Sequence, residues 1–128
     1  MGKLFKKAVF VSPIFFLLLS ISAASAHEKP EIDKIKDKTE HAVTLKVLYE
    51  KYKDKKVDIK VKVKNKKTDK KYTEKFSNKK INSEGKKNVK IDDLLSNTKY
   101  SFKVKIKRHS GGDYSDWSDW KSAKTKGD

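Results

Sequence analysis

Three histidines, two groups of aspartates and one crowd of lysines and tryptophans are the residues of this 128-residue chain with the means to do chemistry. His27, His41 and His109 stand apart from one another, with no carboxylate at HxH or HExxH spacing, so they read as solvated loop histidines rather than metal ligands or a general base. Asp92 and Asp93 are adjacent, and Asp113, Asp116 and Asp119 recur at every third position between hydroxyls and tryptophans. Neither group has the DxDxDG order or the closing glutamate of a calcium loop, and the cationic background opposes a divalent ion. There is no cysteine, which excludes a thiol nucleophile, a thiolate metal site and any disulfide. The expectation is a protein without catalytic, cofactor-binding or metal-ligating residues.

The basic residues remain. The formal net charge is +16, made by 33 basic against 17 acidic side chains. Arg108 is the single arginine, and the rest are lysines. An ammonium is a point charge that cannot imitate the planar guanidinium fork used to grip phosphate or base edges. A partner read by charge density therefore fits better than one read base by base, and sequence-specific nucleic-acid recognition is not expected. The candidate ligand-binding residues are Lys60, Lys62, Lys103, Lys105, Lys107, Arg108 and Trp117.

Strands must position these residues. Val57, Ile59, Val61 and Val63 alternate with Asp58, Lys60, Lys62 and Lys64, while Tyr100, Phe102, Val104 and Ile106 alternate with Ser101, Lys103, Lys105 and Lys107. A period of two with β-branched residues on one side is the pattern of a half-buried strand. Val43, Leu45, Val47 and Tyr49 repeat it. Weaker strands are expected at 27–38, kept an edge by Pro30, at 72–76, around Val89 and Ile91, and from Trp117 to Thr125. The segment 77–87, with Asn78, Asn82 and Gly85, reads as the longest loop. Seven strand candidates without helical periodicity or a linker predict one all-β sandwich over residues 27–128, with its core at about 30–125.

The first 26 residues stand outside that domain. Lys3, Lys6 and Lys7 precede an apolar run from Ala8 to Ile21, and small residues follow up to Ala26, which is the layout of a secretory signal cleaved after Ala26. The apolar run of about 14 residues is shorter than the ~20 needed to span a bilayer. Cleavage removes three lysines and no acid, leaving +13 on the mature chain. The expected product is a secreted, extracellular or surface-held monomer, with no transmembrane segment and no lipid anchor.

The run from Leu94 to Tyr100, followed by alternating Phe102, Val104 and Ile106, resembles the fibronectin type III signature, in which a leucine precedes by six residues the tyrosine of the tyrosine corner. Tyr114-Ser115-Asp116-Trp117-Ser118 is similar to the WSxWS box of the cytokine-receptor branch of the same immunoglobulin-like fold. Ser96 and Asn97 stand where that family usually has proline and glycine, Tyr114 replaces the first tryptophan of the box, and Val47 replaces the usual tryptophan of the second strand. The resemblance implies that the strands 57–64 and 100–107 pair, placing lysines 60, 62 and 64 beside 103, 105 and 107. It also implies that Trp117 stacks among them. On a regular strand Trp117 and Trp120 would face opposite sides.

Two functional expectations follow. The leading one is a non-enzymatic binding or adhesion module whose lysine face engages an anionic polysaccharide or cell-wall polymer, held by charge and counterion release. The alternative is a structural or accessory domain that recognises an extracellular protein and has no polymer ligand.

Overall fold

The computed structural model describes residues 29–127. The expected signal peptide at 1–26 and His27 lie outside the described residues. Among the described residues seven strands form: β1 Glu31–Lys38, β2 Val43–Leu48, β3 Lys56–Asn65, β4 Lys71–Lys80, β5 Lys86–Ile91, β6 Lys99–Arg108 and β7 Lys121–Lys124. One turn of 3-10 helix, Glu50–Tyr52, joins β2 to β3. The strands make two antiparallel sheets, ordered β1-β2-β5 and β4-β3-β6-β7.

Between the sheets lie the apolar halves of the alternating patterns. Val43, Leu45 and Val47 of β2, Val57, Ile59, Val61 and Val63 of β3, and Phe102, Val104 and Ile106 of β6 are almost fully buried. With no disulfide, this packing carries the fold, each such side chain contributing ~1.5–3 kcal/mol on leaving water. Val47, in the place of the tryptophan usual for the resembled family, is sealed like its neighbours. The hydroxyl of Tyr100 accepts the N–H of Leu95 at 2.9 Å, tying the start of β6 to the crossing segment before it. Asn97 adopts φ 51°, a left-handed conformation that asparagine tolerates far better than most residues, so the corner forms without the usual glycine.

Two expected boundaries are corrected. Residues 77–80 continue β4 and residues 86–87 begin β5, so the expected long loop at 77–87 shrinks to 81–85. The extension is possible because Asn78 takes φ 56° and donates its N–H to the Asp58 carboxylate at 3.0 Å, which bends the strand past a register shift between Val57 and Ile59. Within the short loop Ile81 is buried, and the Asn82 side chain accepts the N–H groups of Glu84 and Lys86. The last strand begins at Lys121 rather than at Trp117, which makes 109–120 the longest connection between described strands.

Candidate functional site

The outward residues of β3 and β6 supply the lysine row. Their register sets Lys60 opposite Lys105 and Lys62 opposite Lys103, while Lys64 faces Ser101 and Lys107 faces Asp58. The expected block of six lysines is thus two like-charged pairs bracketed by two neutralised ends. Lys64 reaches Asp69 at 3.1 Å, and Lys107 reaches Asp58 at 3.5 Å. Arg108 does not join the row. It pairs with Val57, on the alternation of the core-facing residues, and is exposed at the end of the strand.

Like charges directly opposite each other destabilise a sheet, and the segment before β7 answers them. The Ser115 N–H donates to the Ile106 carbonyl at 2.8 Å, and the Ser118 N–H donates to the Val104 carbonyl at 2.8 Å. Each serine hydroxyl accepts the amide of the same partner, from Ile106 at 3.1 Å and from Val104 at 2.9 Å. The same hydroxyls donate to the carbonyls of Asp116 and Asp119. Lys121 then pairs with Phe102. The segment advances three residues for every two of β6, about 2.2 Å per residue from the ordinary strand rise.

A three-residue period puts Tyr114, Trp117 and Trp120 on one side. This corrects the expectation that Trp117 and Trp120 face opposite ways, which holds only for a strand. The rings interleave with the row. Lys60 and Lys105 place their ammonium groups 4.8 and 5.2 Å from the Tyr114 ring centre. Lys62, Lys103 and Lys105 lie 5.1, 5.2 and 4.7 Å from that of Trp117. Lys103 also lies 4.7 Å from Trp120, and Lys107 lies 5.9 Å from Tyr114. A cation over a ring is worth ~0.5–1 kcal/mol at exposed sites, so the stack offsets part of the repulsion and fixes otherwise flexible side chains. Partial burial, then the charges of Lys62 and Lys71, press the Lys103 ammonium below the ordinary lysine pKa.

At the β3 start of the row sits a polar knot. Burial pushes the Asp58 carboxyl upward, but the Asn78 amide, the His109 hydrogen bond and charge, and the Lys107 charge outweigh it, bringing its pKa to about 2. The Nδ1–H of His109 donates to it at 2.8 Å. The Tyr114 hydroxyl is buried without a hydrogen-bond partner among the described residues, and burial followed by the Asp58 charge raises its pKa.

Of the seven candidate residues, the structure brings together Lys60, Lys62, Lys103, Lys105, Lys107 and Trp117 and leaves Arg108 aside. Tyr114 and Trp120 complete the set, and the triplet spacing of Tyr114-Ser115-Asp116, Trp117-Ser118-Asp119 and Trp120 is the signal in the sequence that finds them. No cluster of potential metal ligands occurs among the described residues. The Nδ1 of His41 lies 2.9 Å from the Leu94 carbonyl oxygen.

Models of known protein families give no match to the chain, and neither do curated proteins. Among solved structures, a myokine superposes with a TM-score of 0.59 at 14% identity, over 79% of this chain and 99% of that one. The sensor domain of the anti-sigma factor RsgI4 of Pseudobacteroides cellulosolvens superposes with a TM-score of 0.53 at 16% identity, over 80% and 98% of the two chains. At such identities the likeness carries the β-sandwich fold alone.

Proposed function

We propose that the chain is a secreted, non-enzymatic binding or adhesion module of the fibronectin type III kind, and that it engages an anionic polysaccharide or cell-wall polymer through its lysine row. The sheet orders β1-β2-β5 and β4-β3-β6-β7 and the Tyr100 hydroxyl bond support the type III assignment. The paired serine bonds of the aromatic triplets support a WSxWS-like role for residues 114–118. Among the described residues no helix is long and apolar enough to cross a membrane.

One observation carries the polymer reading. Lys60, Lys62, Lys103 and Lys105 form no ion pair among the described residues, yet aromatic rings hold all four in place. Binding to an anion then orders little that is not already ordered, which lowers the cost of association. Lys60 and Lys62 each lie over one ring, and Lys103 and Lys105 each lie against two.

The test is retention on heparin-type and teichoic-type columns of the native protein and of the Lys103→Glu, Lys105→Glu double variant. Earlier elution of the variant is expected on at least one column. Unchanged retention on both would sink the row as the binding face.

The alternative, a domain that pairs with an extracellular protein, has its own support in β4. This edge strand of ten residues carries Tyr72 at 46% exposure, a suitable place for strand addition. A single protein partner retained at ~0.5 M salt, where exposed charges are screened within a few Å, would favour it.

A further inference from the structure

A second cationic surface lies on the opposite side of the sandwich, and it is built differently. The outer face of the β1-β2-β5 sheet carries Lys46 of β2, with Lys34 of β1 directly opposite on one side and Asn88 of β5 on the other. Where β4 hands the chain over to β5, a cleft of about 340 Å³ opens on this face. Five lysines line it, Lys36, Lys46, Lys80, Lys86 and Lys87, together with a single carboxylate, that of Glu84. The turn beneath Lys86 is held by the side chain of Asn82, so the floor of the cleft is ordered.

Among the described residues none of the five ammonium groups enters an ion pair or lies over an aromatic ring. The contrast with the other face decides the argument. There the protein supplies three rings to offset its own lysines, whereas here the like charges of Lys34 and Lys46 face each other, and neither enters an ion pair or lies over a ring among the described residues. An excess of four positive charges around a concave surface raises the local concentration of anions.

We infer that this cleft is a second binding site for a linear polyanion bearing sulfate or phosphate groups, so that the domain is bivalent. The inference rests on the polymer reading of the previous section and extends it. The outer faces of two packed sheets are more than ~10 Å apart and point in opposite directions, so the two sites hold two polymer segments. The domain therefore bridges polymer chains rather than merely coating one.

Calorimetric titration of the purified protein with a heparin hexasaccharide and, separately, with a linear glycerol-phosphate hexamer tests this. Two ligands per chain are expected in at least one arm, and the arm that binds distinguishes a sulfated polysaccharide from a teichoic-type source. The triple variant Lys46→Gln, Lys80→Gln, Lys86→Gln should bind one, and so should Lys103→Glu with Lys105→Glu. Turbidity with long polymer at low salt should vanish in both variants. One ligand per native chain, unaffected by the triple substitution, overturns the second site and leaves the row intact. No binding in either arm overturns the reading on which both rest. The glutamine changes relieve repulsion, so a melting temperature equal to or above that of the native protein confirms that the triple variant is folded.

Discussion

Asp58 accepts hydrogen bonds from the Asn78 amide and from His109 while Lys107 approaches its second oxygen, all within a site only 5% exposed. Its folded pKa of about 2 lies below the ordinary 3.8. Ionised Asp58 therefore favours the folded state fully above about pH 4, and that contribution is lost as the pH falls through 2. A difference of this size is worth on the order of 2 kcal/mol. Asp58→Asn keeps an acceptor for Asn78 and loses the charge, so it should lower stability at pH 7 by about that amount. The gap from the native protein should close between pH 4 and pH 2, as denaturant titrations across that range would record. A gap independent of pH would mean that shape, not charge, is what Asp58 contributes. Alternation places Asp58 on the lysine side of β3, and the sequence could show no more than that. Its burial depends on Asn78 and His109, 20 and 51 residues away, contacts that no local pattern encodes.

The segment 113–120 makes its case as an element. Its serine hydroxyls take the place of a neighbouring strand's backbone, accepting the amides of Ile106 and Val104. Ser118 is buried, so Ser118→Ala leaves the Val104 amide without an acceptor, at a cost of ~1–3 kcal/mol. Asp119→Ala removes only an exposed carboxylate paired with Lys29, worth under ~1 kcal/mol. Chemical denaturation midpoints should separate the two variants, and the Ser118 change should also alter the near-ultraviolet dichroism of the tryptophans. Equal losses would mean that the three-residue winding is not what holds the rings. The long strands were legible because Val57 to Lys64 and Tyr100 to Lys107 alternate without a break. The winding was not, because strand reasoning applies a period of two to a segment whose period is three. The recurrence of aspartate at 113, 116 and 119 was visible, but without the serine bonds it says nothing about where the rings point. The boundary of β4 was missed for a related reason: Asn78 reads as a turn residue, and here it is one inside a strand.

For the molecule as a whole, the two faces of the sandwich differ in how they manage the same excess of charge. One places aromatic rings among its lysines, whereas on the other Lys34 and Lys46 face each other and lie over no ring among the described residues. Self-repulsion of this kind weakens the compact state and is screened by salt, since the Debye length falls from ~10 Å at 0.1 M to ~3 Å at 1 M. Thermal stability should therefore rise as sodium chloride increases from low concentration to about 0.5 M, by ~1 kcal/mol or ~4–8 °C for a domain of this size. Lys34→Gln with Lys46→Gln removes the facing pair that no ring offsets, so this variant should start higher at low salt and gain less from added salt. Lys60→Gln with Lys105→Gln removes a pair that the rings of Tyr114 and Trp117 already offset, so it gives up favourable contacts along with the repulsion and should gain less at low salt, or lose. Melting curves of the three proteins across the salt series compare the faces directly. If the second variant gained as much as the first, the rings would not be neutralising the row, and the physical difference between the two faces would disappear.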